Sequence, residues 1–467
     1  MRVQAKATFC EPRPTSPIPL IISLSLPSML LRRALLARPK INPAGVSSRP
    51  LPPHCVPLHH RLNPVSTIRT MVTASNTAPA FEPQNIEQEA AHQSNGHAKV
   101  NNWSHPGPAA FDFRSDIVTT PTARMLSAIA STTLLDDVMD GGSDPTTNSL
   151  EAMIAEMTNK EAALMVCSGT MGNQVAIRTH LTTPPHSVVT DHRSHILEWE
   201  AGGVAALCGA LVKGVVPANG NYLTLEDVQK ACVISDDVHA CPTRLISLEN
   251  TLGGVITPLD ECRRISAFAR ENGIILHLDG ARLWEAVAAD AGSLKDYSDC
   301  FDSISLCFSK GLGAPIGSIL VGTKAFRTRA RHIRKMIGGG MRQAGVVTAP
   351  ARVAVEDTFL GGKLKASHVR ARQIADMWQG YGGKLTAPTE TNMVWFDLAA
   401  AGTDAKKFIE DGERAGLRLM GGRLVVHYQI GDEAVQRLDE LMQVVLKGKK
   451  PNGKVELGAD KLAIEAE

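Results

Sequence analysis

Two stretches of this chain carry residue types suited to covalent and electron-withdrawing chemistry. Ser303 to Pro315 reads SISLCFSKGLGAP. Its apolar run, 304–308, ends at Ser309 and Lys310, and the chain then turns through Gly311 and Gly313. A strand that stops at a lysine beside glycines presents an amine at a sheet rim, where the backbone bends and a bulky group approaches closely. Partly desolvated, such an amine is a candidate Schiff-base nucleophile. The same local pattern fits a surface lysine in a strand-end turn. A second apolar run, in GIILHLDGAR, ends in Asp279, with Gly280 and Arg282 following. Two parallel-type strands, one ending in an acid and the other in a lysine, fit a ligand site at the carboxyl edge of an open α/β sheet.

Pyridoxal phosphate (PLP) needs that pair. The lysine bonds its carbonyl carbon, and a carboxylate keeps the ring nitrogen protonated. Ser168-Gly169-Thr170, between an apolar strand and a helix, reads equally as a phosphate cradle or a helix cap. Arg342 in GGGMRQ suits a phosphate or carboxylate, or is a solvated helix-start arginine. His195 in DHRSHILEWEAGG suits stacking on a pyridine ring and proton exchange near neutrality, or a structural role. Glu200 reads as structural. Arg423, opening RLVVHY, suits an amino-acid carboxylate, or is an edge-strand arginine. The nine cysteines show no CxxC pair or zinc spacing, so no metal site is expected and the thiols read as reduced and mostly buried.

The elements that must position these groups alternate along the chain. Apolar strand patterns at 162–166, 187–190, 244–248, 274–278 and 303–308 are interleaved with helical patterns, which predicts a doubly wound, mostly parallel sheet. This large domain is expected over 111–360. A small α+β domain follows over 361–448, with strands at 392–396 and 423–428, and then a charged tail at 449–467. Residues 1–110 carry 11 Lys or Arg against four acids and are rich in Pro and Ser, so they read as a disordered leader and linker. An Arg-rich, acid-poor leader is that of a transit peptide, most simply mitochondrial. The alternatives are a secretory signal around 18–31, or an extension ahead of a second start at Met71, which leaves the protein in the cytosol. Net charge is +2 over 467 residues, so nothing points to a nucleic-acid partner. No apolar run reaches membrane-spanning length.

The ordered series FRSDIVTTPT, DPTTNSLE, KEAALMVCSGTMGN, SHILEWEAGG, SLENTLGG, HLDGARLWEA, SLCFSKGLGAPIGS, GGGMRQAG and TNMVWF resembles the PLP-dependent threonine aldolases over residues 111–446. The resemblance implies a fold-type-I PLP lyase with a seven-stranded, mostly parallel sheet, a small-molecule amino-acid substrate, and a homodimer or homotetramer. It implies cleavage of L-threonine or L-allo-threonine to glycine and acetaldehyde, in threonine catabolism and glycine biosynthesis. By motif, Lys310 matches the cofactor-bonding lysine, with Ser309 beside it. Asp279 and Arg282 match the ring-nitrogen carboxylate and its neighbouring ring contact. Gly169 and Thr170 match the phosphate turn, and His195 matches the stacking histidine. Ser115 and Arg423 match groups that hold the substrate carboxylate. Arg342 matches a cofactor-site arginine contributed across a dimer. Two departures stand out. Leu252 replaces the histidine of the bacterial LENTH motif, and Met139 replaces an aromatic in the acidic loop. With Leu252 unable to accept a proton, water is expected to relay the hydroxyl proton while His195 mainly stacks. An amino-acid racemase acting on alanine is the alternative activity.

Overall fold

The computed structural model describes residues 101–139, 142 and 144–446. The expected leader up to residue 100 and the tail at 449–467 lie outside the described residues. Within the expected linker, Gly107–Phe111 forms a short 3-10 turn and Ala109 is buried.

Seven strands form one sheet: β1 (Ala162–Val166), β2 (Ser187–Asp191), β3 (Leu211–Val215), β4 (Thr243–Glu249), β5 (Ile275–Asp279), β6 (Ser303–Cys307) and β7 (Ser318–Gly322). Their spatial order is β1-β7-β6-β5-β4-β2-β3. β7 runs antiparallel to β1 and β6, and the other pairs are parallel. The mostly parallel, seven-stranded expectation holds. β5 and β6 are neighbours, so Asp279 and the loop after Cys307 open on the same edge. β6 is buried along its whole length, and its apolar residues pack with Leu276, Leu278 and Trp284 in the main core.

The pattern reading omitted β3 and β7. β3 is a half-exposed edge strand interrupted by Lys213 and Gly214, so it has no continuous apolar run. β7 is five buried residues that follow a glycine-rich turn directly. Gly317 in that turn has φ +111°, a conformation that favours glycine.

A second core surrounds two short antiparallel strands, β8 (Met393–Trp395) and β9 (Arg423–Val425). Trp378 stacks on Phe396 with ring centroids 4.1 Å apart. The chain start also belongs here. Phe113 is fully buried in this core, its N–H donates to Arg418 O at 2.9 Å, and its carbonyl accepts Val425 N–H at 2.8 Å. The residues expected to open the large domain thus complete the small one, because an aromatic side chain and both backbone groups find partners there. The helix Lys363–Gly380 spans the two cores, with Leu364 in the first and Trp378 in the second. Among the described residues no helix is long and apolar enough to cross a membrane.

Phe113→Ala is therefore expected to lower the unfolding free energy by about 3–5 kcal/mol, the usual loss for a buried phenylalanine. Denaturant unfolding followed by tryptophan fluorescence checks this. An unchanged midpoint would contradict the packing.

Candidate active site

Asp279 is the last residue of β5, is buried, and lies in register with Glu249 at the end of β4. A buried carboxylate needs donors. Ala281 N–H donates to its Oδ1 at 3.0 Å, and Asn173 Nδ2 donates to its Oδ2 at 2.7 Å. Asn173 also donates to Glu200 Oε1 at 2.9 Å, and Glu200 Oε1 is 2.8 Å from His195 Nδ1. His277 Nε2 lies 3.2 Å from the Asn173 side-chain oxygen. Burial holds the His277 pKa down at about 3, so it stays neutral and fixes the amide without adding charge. His195, Glu200 and Asp279 offer ligand atoms within 4.8 Å of one another, and hydrogen bonds to Asn173 or to one another already engage all three. The His195 pKa is raised, chiefly by the Glu200 hydrogen bond working against burial, with Asp279 adding to it.

Glu249 is a third acid in this cluster, after Asp279 and Glu200. It accepts the His195 backbone N–H at 2.8 Å. Desolvation, then the negative charge of Asp279, pushes its pKa up to about 7. The Lys310 charge is felt by Glu249, His195, Asp116 and Cys307, which places the lysine within electrostatic reach of all four. The loop is held from behind, since the Lys310 carbonyl accepts Thr119 Oγ1 and Gly313 N–H, each at 2.9 Å.

Ser168 caps the helix Gly169–His180 by accepting Met171 N–H at 3.1 Å. The first intrahelical bond is Gly172 N–H to Ser168 O, so the amides of Gly169 and Thr170 precede the ladder and have no partner among the described residues. A Cβ at position 169 would sit 2.7 Å from Cys307 Sγ, so only glycine lets this turn press against β6.

The remaining expected residues divide. Arg282 is in the cluster, but its guanidinium grips Asp116 through Nε at 2.8 Å and Nη2 at 2.6 Å. Arg282 holds the Asp116 pKa well below the usual carboxylate range against the effect of burial. Arg423 lies near this pair. Its Nη2 donates to Arg114 O at 2.9 Å, while its buried Nε has no partner among the described residues. Burial, then the Arg282 charge, lowers its pKa. Ser115 caps the turn Asp116–Val118. Ser309 adjoins Lys310 in the turn after β6. Arg342 is exposed and paired with Asp136 at 3.0 Å, and among the described residues no hydrogen bond or ion pair joins it to the Lys310 cluster.

Residues 112–401 match the beta-eliminating lyase family model. The chain is 64% identical over 357 residues to aldolase vrtJ of Penicillium aethiopicum, covering 75% of this chain and 90% of that protein. It is 46% identical to the low specificity L-threonine aldolase of Saccharomyces cerevisiae, covering 71% and 85%. The chain belongs to the beta-eliminating lyase family, among the threonine aldolases and their relatives. Alanine racemase TOXG of Cochliobolus carbonum is one such relative, 44% identical over 74% of this chain and 90% of its own. A Leishmania major threonine aldolase structure superposes with a TM-score of 0.63 at 21% identity, covering 72% of this chain and 99% of that one, which shows the shared fold.

The protein is a PLP-dependent lyase of this family. Its own residues fit the cofactor on three independent counts. The Gly169 and Thr170 amides have no partner among the described residues, Gly169 cannot be enlarged against β6, and a buried carboxylate and a lysine share one sheet edge.

The Glu249 shift yields a signed prediction. Its native pKa is raised, so the unfolded chain loses this proton first as pH rises from about 4.5 to about 7. Keeping the group native therefore becomes progressively less favourable across that window, and the penalty is constant above it. Glu249→Gln removes the titration. In the apoprotein its stability relative to wild type is expected to rise between pH 5 and pH 7.5 and to level off above. A pH-independent difference would contradict the buried, proton-holding Glu249.

Proposed function

We propose that this lyase is a threonine aldolase that cleaves the Cα–Cβ bond of L-threonine or L-allo-threonine, giving glycine and acetaldehyde. The observation that carries the reading is the meeting of Lys310, Asp279 and His195 at one sheet edge, with the Arg423 Nε, which has no partner among the described residues, beside the neighbouring Arg282 pair. Identity of 46% to a named threonine aldolase supports it.

Lys310 would hold the cofactor covalently, Gly169 and Thr170 amides its phosphate, and Asp279 its ring nitrogen, with Arg282 alongside. Bound pyridoxal phosphate supplies the sink for the electrons left at Cα when Cα–Cβ breaks. Arg423, aided by Ser115, would take the substrate carboxylate, because a guanidinium matches a carboxylate bidentately. The leaving aldehyde requires loss of the β-hydroxyl proton. Glu200 engages His195 Nδ1, which leaves Nε2 to accept that proton. This departs from the water-relay expectation because Glu200, read from sequence as structural, is the group that raises the proton affinity of His195. Asn173 and Glu200 orient the imidazole, a positioning role.

Racemisation is the second reading. Leu252 stands beside Glu249 in a small cavity with Asp191 and Tyr222, where bacterial relatives carry a base, and the TOXG relative is named a racemase. The basic leader supports import into mitochondria, with the cytosol as the alternative. Trp199 and Leu134, 74% and 68% exposed, support burial in a homodimer or homotetramer, in which Arg342 reaches a partner's site.

His195→Phe keeps an aromatic face and removes the acceptor. It is expected to retain PLP and to lose about 10²–10⁴ in kcat, as general-base removal does. Acetaldehyde release coupled to NADH oxidation measures this, with optical rotation of L-alanine followed in parallel. Less than a tenfold loss would return the proton to water. Racemisation without aldehyde would favour the second reading.

A further inference from the structure

A cleft of about 510 Å³ shares no lining residue with the Lys310–Asp279 cluster. Its volume is in the range of small-molecule sites. Trp103, Pro106, Pro121 and Tyr428 give it apolar, partly aromatic walls. Arg124 and Lys363 supply its fixed positive charge. Arg124 is already neutralised by Asp357 and Glu356. Lys363 has no acid partner among the described residues. Its ammonium lies 5.3 Å from the centre of the Tyr428 ring, and burial, with the Arg124 charge, lowers its pKa. The lining thus carries one uncompensated positive charge against a flat aromatic surface.

The walls also reach Lys310. Tyr428 packs its hydroxyl against Gly313, where φ is +86° and a Cβ would collide with that oxygen. Gly313 N–H donates to the Lys310 carbonyl at 2.9 Å. Gln429 bonds both backbone groups of Thr120, accepting its N–H at 2.9 Å and donating to its carbonyl at 2.8 Å. The adjacent Thr119 hydroxyl donates to the same Lys310 carbonyl. Two short relays, starting from the adjacent lining residues Tyr428 and Gln429, therefore end on one atom of the lysine loop.

We propose that this cleft binds a small monocarboxylate with a planar apolar body, an aromatic carboxylic acid, and that its occupancy shifts the Lys310 loop. The single free charge of Lys363 sets the ligand's charge at minus one. The aromatic walls select the planar body, and the two relays convert filling of the cleft into movement of the lysine carbonyl. This effector site is independent of which aldehyde the lyase releases.

The test titrates indole-3-carboxylate into the PLP holoenzyme by calorimetry while the visible absorbance of the bound cofactor is followed. One saturable site per chain is expected, with a shift of the cofactor band at saturation. Lys363→Met is expected to weaken binding by at least about tenfold, the loss of one charge-assisted contact, and Lys363→Arg to restore most of it. Trp103→Ala, outside any helix or strand, removes the aromatic wall by a second route and is expected to weaken binding as well. Arg423→Met should leave the affinity unchanged. Absence of saturable binding at several millimolar, equal binding by Lys363→Met, or loss of binding in Arg423→Met would overturn the site. Binding without a band shift would overturn its coupling to Lys310.

Discussion

Burying the Asp279 carboxylate at the end of β5 obliges its surroundings to supply donors, because an unpaired charge in a protein interior is strongly unfavourable. Much of the site follows from how that demand is met. Asn173 comes from the helix that presents Gly169 and Thr170, so the carboxylate and the two free amides are held at a fixed spacing by one helix. The same amide group binds Glu200, which engages His195. The carboxylate's negative charge also reaches beyond its own contacts: it adds to the desolvation that raises the Glu249 pKa to about 7, and to the Glu200 hydrogen bond that raises the proton affinity of His195. The position proposed to hold the cofactor's ring nitrogen therefore also adds to the tuning of the bases around it.

The second constraint is the pair between the buried Asp116 and the largely buried Arg282. Arg282 follows β5 by three residues, whereas Asp116 lies in the segment just after Phe113, whose side chain is in the small core. The pair thus joins the sheet edge to the segment that completes the second core. Thr119, three residues further on, holds the Lys310 carbonyl. Removing one member of such a pair strands the other charge, which is why these pairs are hard to vary singly. The helix Lys363–Gly380 makes the same connection by another path.

What the sequence made legible was local. Lys310, Asp279 and Gly169 announce themselves because an apolar run ends at a glycine-flanked polar residue, a pattern confined to a dozen positions. Asp116 and Asn173 gave no such signal. Their partners lie 166 and 106 residues away, and neither is flanked by an unusual pattern. Glu200 was visible but read as structural, since only its contact with His195, five residues before it, reveals its electrostatic work. Five of the seven large-sheet strands were readable from apolar runs. β3 was hidden by its half-exposed edge position and β7 by its glycine-rich approach, and the family resemblance alone implied the full count. Arg342 matches a family motif, yet within one chain it faces the acidic loop through Asp136.

The central claim is that Lys310, facing the Asp279 edge, is the residue that carries the cofactor. Reduction of the holoprotein with borohydride, followed by digestion and mass mapping of the pyridoxyl-labelled peptide, tests it directly. The account predicts a single label on Lys310, absent from Lys310→Ala. A label on any other lysine of the wild type would contradict it.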